Sequence, residues 1–140
     1  MAKSSRRRKI YRKSASKFHK TVGNLLFSIP SLKGLRIYQE YPVKQINPAY
    51  KNFRARYDWA ILELKTVIEC HGKQHFEPVR FGGISEEEAK EKFKQQKYMD
   101  AIKEEAAINA GWKYVVVPYN MKITKESLLD LILGEDDENP

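Results

Sequence analysis

The sequence predicts an α/β fold, a single domain in which a central mixed β-sheet is flanked by helices. Three observations predict it. Residues 57–62 and 65–70 are short runs rich in aromatic and β-branched side chains, separated only by Glu63 and Leu64, which reads as an antiparallel hairpin. Ser85 followed by Glu86, Glu87 and Glu88 has the form of a capping box, and it predicts one long helix over 86–109 with Gly111 as its stop signal. Residues 112–117 then supply a further strand, expected to be central and largely buried and closed by Pro118. The 140-residue chain is of one-domain size, and its 41% hydrophobic content is enough for a core.

The remaining elements follow in order. Residues 16–27 predict a first helix, with Phe18, Val22, Leu25 and Leu26 at spacings of three and four, ended by Pro30. His19 lies beside that stripe, where a packed or surface histidine is the ordinary outcome. Residues 35–43 alternate as a strand, with Leu35, Ile37 and Gln39 on one face and Arg36, Tyr38 and Glu40 on the other. Residues 44–56 contain Asn47-Pro48 and read as a loop whose Lys51, Arg54 and Arg56 are placed to touch a phosphate backbone. Gly72, Pro78 and Gly82-Gly83 mark the exit from the hairpin. In the long helix Phe93, Tyr98, Ala101, Ile102, Ala106 and Ile108 form an imperfectly periodic apolar set. Thr124 is placed to cap a last helix over 125–133.

Charge is distributed unevenly. The net charge is +8, and residues 1–20 hold nine Lys and Arg with no acid. Residues 1–14 read as a basic arm, 15–134 as the folded domain and 135–140 as an acidic tail. A basic arm suits a polyanion, because each neutralised phosphate releases a counterion, and Arg6, Arg7, Arg8, Lys9, Arg12 and Lys13 are the candidate contacts. Residues 4–13 have no apolar face for a membrane surface, and no run is long enough to span a bilayer, so an intracellular protein is expected. The lone Cys70 makes no internal disulfide and reads as a buried strand residue.

The hairpin carries the chemistry. With Leu62 opposite Lys65, the register sets Ala60 opposite Val67 and Asp58 opposite Glu69. Two carboxylates at that distance repel, and a divalent cation such as Mg²⁺ between them relieves the repulsion. His71 follows Glu69 on the same face.

Asp58, then Glu69-Cys70-His71-Gly72 and Gln74-His75, resembles the PD-(D/E)XK nuclease superfamily, most closely its very-short-patch-repair-like branch. Asp100-Ala-Ile-Lys103 and Gly111-Trp112-Lys113-Tyr114-Val115 fall where that branch has Asp-x-x-Arg on a helix and a Gly-Tyr/Trp-Arg-Val strand. The likeness covers about residues 35–118 and implies a restriction-endonuclease-like core. The chain is also similar to the His-containing homing endonucleases of that branch, and residues 38–43 are similar to junction-resolving endonucleases of some phages, which implies a phage-type source in a bacterial host. The resemblance implies a DNA endonuclease dependent on Mg²⁺ or Mn²⁺ that leaves 5′-phosphates. Asp58, Glu69 and the Cys70 carbonyl would hold the metal. His71 or His75 would activate water, Glu40 and Asp100 would complete the catalytic set, and Lys73 or Lys103 would offset phosphate charge. His71 stands where the superfamily has lysine, and the glutamate of its first helix is absent, with His19 near that place. Three alternatives stand beside this reading: a Holliday-junction resolvase, which requires a homodimer, a catalytically degenerate DNA-binding module, and a subunit of a larger nucleic-acid assembly.

Overall fold

Local signals set most of the element boundaries. The computed structural model describes residues 16–134. The basic arm with Arg6, Arg7, Arg8, Lys9, Arg12 and Lys13, and the acidic tail 135–140, lie outside the described residues. Helix α1 (Lys17–Ser28) starts where Ser16 accepts the His19 N–H at 3.0 Å, and it ends before a 3₁₀ turn at Pro30–Leu32. Strand β1 is Ile37–Pro42. The segment expected to be loop holds a short helix, α2 (Val43–Ile46), and a 3₁₀ turn at Pro48–Tyr50. Asn47 orders it, accepting the Ala49 N–H at 3.1 Å and donating to the Ala106 carbonyl at 3.0 Å.

The hairpin strands are β2 (Arg56–Ile61) and β3 (Thr66–His71). Ala60 faces Val67 as expected, but Leu62 and Lys65 leave the strands for the turn. Lys65 adopts a left-handed φ of 46° and closes the turn, its N–H donating to the Leu62 carbonyl at 3.1 Å. Helix α3 (Glu86–Asn109) has both capping-box bonds, Ser85 N–H to Glu88 and Glu88 N–H to Ser85. Strand β4 (Lys113–Pro118) and helix α4 (Lys125–Leu133) complete the domain.

The sheet runs β1-β2-β3-β4, antiparallel across the first two pairings and parallel between β3 and β4. The result is one α/β domain with a mixed four-stranded sheet and helices on its faces. The central position expected for 112–117 is corrected: among the described residues β4 pairs only with β3 and is an edge strand, so only Val115 and Val117 of it are buried. One face packs Trp59, Ile61 and Ile68 under Val22 and Leu26 of α1 and Leu128 of α4. The other packs Tyr57, Ala60 and Val67 with Val43 of α2 and Ala106 and Ala107 of α3. Tyr98, Ala101 and Ile108 are exposed rather than part of a packing stripe, because α3 turns Asp100, Lys103, Ala106 and Ala107 toward the sheet, of which only Ala106 belongs to the expected set. Among the described residues no helix is long and apolar enough to cross a membrane.

Candidate metal centre

Strand alternation breaks at Asp58. Trp59 and Ile61 pack toward α1, whereas Tyr57 and Ala60 both pack toward α3, so the strand changes phase between them. On the neighbouring strand Glu40 adopts a left-handed φ of 56°, and it is the position at which the β1–β2 ladder skips a pair without changing register. Backbone strain of this kind is held in place by its surroundings and concentrates at functional sites. It puts Asp58 between the two faces of the sheet, within reach of both α1 and α3.

The expected repulsion of Asp58 and Glu69 is avoided by interlocking. Beyond Trp59 and Ile68 the β2–β3 ladder gives way to side chains: the Asp58 N–H donates to Glu69 Oε2 at 2.9 Å, and the Cys70 N–H donates to Asp58 Oδ2 at 2.7 Å. Lys103 of α3 donates from Nζ to Glu69 Oε1 at 2.9 Å. Both Glu69 oxygens therefore have protein donors, and the side chain is only 2% exposed. Burial, then the charge of Asp58, pushes the Glu69 carboxyl up to about 7 against the pull of Lys103. Burial acts on Asp58 too, but interaction with the His19 imidazole and the Cys70 N–H outweighs it and holds this carboxyl below its usual range. The pair is thus split into one firm anion and one carboxyl that titrates near neutrality.

Among the described residues two groups of three side chains bring potential ligand atoms within 4.8 Å of one another, close enough to hold a divalent ion. The first is His19, Glu40 and Asp58, with His19 Nδ1 3.5 Å from Asp58 Oδ1. Two carboxylates and an imidazole fit a divalent cation that accepts oxygen and nitrogen. The second is His71, His75 and Asp100. His75 Nδ1 lies 2.9 Å from Asp100 Oδ2, and Gln96 donates to Asp100 Oδ1 at 3.0 Å. The His71 and His75 rings are stacked, with centroids 3.9 Å apart and planes 12° from parallel. Imidazole lone pairs lie in the ring plane, so one ring must turn before both can meet a single ion about 2 Å away. As arranged, this second group is better suited to moving protons. Burial, then His75, pushes His71 down to about 4, so it is neutral at pH 7, and its buried Nε2 has no hydrogen-bond partner among the described residues. Burial opposes ionisation of Asp100, but its bond to His75 holds the carboxyl low.

Asp58, Glu69, His71, His75, Glu40 and Asp100 thus meet at one end of the hairpin. Cys70 contributes its N–H to Asp58, while its side chain packs toward α1 and burial pushes its thiol up, away from thiolate chemistry. Lys103 is part of the constellation, and Lys73 is exposed on the 3₁₀ turn Lys73–His75 that carries His75. Arg54 and Arg56 line a surface depression of about 410 Å³ together with Lys44 and Lys51. His19 is the residue whose place in the site was not expected. Its signal was its position on the first helix, near where the resembled superfamily has a glutamate, and its apolar neighbours made a packed histidine the ordinary reading. No protein-family model and no curated protein matches the chain.

Proposed function

We propose that the chain is a divalent-metal-dependent endonuclease that hydrolyses phosphodiester bonds in DNA. The observation that carries this reading is the convergence of His19 of α1, Glu40 of β1 and Asp58 of β2 within 4.8 Å, beside the Glu69–Lys103 pair of β3 and α3. His19, Glu40 and Asp58 would hold the ion, which when bound would supply positive charge against a phosphoryl oxygen and lower the pKa of water. Asp58 and Glu40 provide the anionic ligands, with Mg²⁺ or Mn²⁺ as the candidates. Glu69 fixes the Asp58 backbone through its N–H, and Lys103 contributes positive charge beside the reacting phosphate. His75 donating from Nδ1 to Asp100 keeps Nε2 as an acceptor, the form a general base needs. Neutral His71 stacks on it and presents an Nε2 to orient water. The basic depression lined by Lys44, Lys51, Arg54 and Arg56 supports a phosphate backbone as the partner. Holliday-junction resolution is the variant of this reading that needs a second copy of the chain.

The test is nicking of supercoiled plasmid and cleavage of a four-way junction in Mg²⁺ and in Mn²⁺. Wild type is expected to cut and Asp58→Ala to be inactive; equal activity of the two removes this site from consideration. A second reading, a DNA-binding module without chemistry, is favoured by one observation: both Glu69 oxygens are engaged within the protein. Salt-dependent binding with no cleavage in either metal selects it.

A further inference from the structure

We propose that His19 is a ligand of the metal centre and that Gln39 positions it, so that the site takes a first-row transition-metal ion of the Mn²⁺ type in preference to Mg²⁺. This rests on the reading of His19, Glu40 and Asp58 as the metal centre, and it does not depend on DNA cleavage.

The spacing supports a ligand role. His19 Nδ1 and Asp58 Oδ1 are 3.5 Å apart. That is long for a hydrogen bond, which is usually about 2.7–3.2 Å. It is close to the separation of two donors sharing one ion: bonds of about 2.1 Å place neighbouring ligands about 3.0 Å apart in an octahedron and about 3.4 Å apart in a tetrahedron. The ring is held there. His19 is 6% exposed, and its ring tilts against Trp59 with centroids 5.2 Å apart.

Gln39 explains how the nitrogen becomes available. Its Nε2 lies 3.0 Å from His19 Nε2, and its buried Oε1 has no hydrogen-bond partner among the described residues. With the amide nitrogen donating, His19 accepts at Nε2 and keeps its proton on Nδ1, directed at Asp58. Turning the amide by 180° exchanges two groups of nearly equal size. It brings the orphaned Oε1 against Nε2, moves the imidazole proton to Nε2 and leaves the Nδ1 lone pair for an ion. A metal-ligating histidine ordinarily donates its other N–H to an oxygen acceptor in this way. Gln39 reaches His19 because β1 pairs it with Trp59, the residue on which the ring rests. An imidazole ligand then biases the site away from Mg²⁺, which prefers an all-oxygen shell, toward ions that accept nitrogen.

The test uses the full chain without nucleic acid. Mn²⁺ binding is followed by loss of the free-ion electron paramagnetic resonance signal, Mg²⁺ by competition, and Co²⁺ by absorption and by shifted, solvent-exchangeable imidazole N–H resonances. Wild type is expected to bind Mn²⁺ at least tenfold more tightly than Mg²⁺ and to show a shifted N–H resonance with Co²⁺. His19→Asn should lose that resonance and weaken Mn²⁺ at least tenfold, with Mg²⁺ changed by less than about threefold. Gln39→Leu should weaken Mn²⁺ by roughly 10- to 100-fold. Gln39→Glu, which keeps an oxygen acceptor, should stay within about threefold of wild type. If His19→Asn does not fold, the two Gln39 variants decide. Unchanged discrimination in His19→Asn, or equal Mn²⁺ binding by the two Gln39 variants, overturns the proposal. Unchanged Mn²⁺ binding in Asp58→Asn overturns the metal-centre reading itself.

Discussion

Replacing Lys103 by methionine removes the cation from a carboxylate that has almost no solvent. Glu69 is 2% exposed at its side chain and receives Lys103 Nζ at 2.9 Å. Its folded pKa, about 7, lies above the ordinary 4.5. The folded state therefore holds this proton more tightly than the unfolded chain, and stability falls as pH rises from about 4.5 to about 7. The size of that fall is roughly 3 kcal/mol, at about 1.4 kcal/mol per pH unit. Below pH 7 the carboxyl is protonated with or without Lys103, so the substitution should cost only about 1 kcal/mol for one hydrogen bond. Above pH 7 the wild-type carboxyl ionises beside its cation, whereas in Lys103→Met it keeps its proton to a higher pH. The difference between the two proteins then grows by about 1.4 kcal/mol per pH unit, adding roughly 3 kcal/mol at about pH 9. Protonation limits the loss, so the full penalty of an unpaired buried charge, about 3–5 kcal/mol, is approached only in alkali. Urea unfolding in chelator at about pH 6 and about pH 9 measures it. In the Glu69→Gln background the same substitution should show no such growth. A loss of equal size at both pH values refutes this account of the pair.

Three further outcomes are expected. Glu40→Gly should relieve the left-handed backbone and raise stability by about 0.5–1 kcal/mol in urea unfolding, while Mn²⁺ binding by the chain is lost. Trp59→Ala should cost about 3–5 kcal/mol, because the indole is fully buried at the meeting of α1 and the sheet, and the His19 ring loses its support. Ser85→Ala should cost about 1 kcal/mol through loss of the α3 N-cap, read as a shift in thermal unfolding, and leave metal affinity unchanged.

The parts of the fold written in local chemistry were legible. Ser85 and Thr124 marked helix starts because a side-chain oxygen at the N-cap satisfies a donor the helix leaves open, and Ser16, expected inside the first helix, caps it in the same way. The hairpin register followed from the short Glu63-Leu64 connection, which sets Ala60 opposite Val67 as found. What the sequence concealed depends on contacts between distant segments. The edge position of β4 is a matter of strand order, which its apolar composition does not report. The order within 44–56 comes from an Asn47 bond to Ala106, fifty-nine positions away. The imperfect period of α3 was a correct signal with the wrong reading. The helix lacks an apolar stripe because its inward face carries Asp100 and Lys103, and a helix that brings charge to a sheet cannot also be regularly amphipathic.

The same tension explains why the site lies where the strands depart from regularity. A stable sheet would continue the β1–β2 ladder through Glu40, yet that residue is left-handed, at a cost of order 1 kcal/mol or more. It would also place an apolar residue at position 69, where a carboxyl sits with its pKa pushed up to about 7. And it would not spend a helix-borne lysine on cancelling that charge. These departures lie on three neighbouring strands, β1 to β3, and converge on Asp58: Glu40 lies beside it, Glu69 holds its N–H, and the change of phase turns it toward His19. Local rules broken together around one carboxylate, in a domain that obeys them elsewhere, are the pattern expected where geometry is kept for chemistry rather than for stability. Asp58 is accordingly the residue on which the proposed function stands, and the Asp58→Ala nicking assay bears on it most directly.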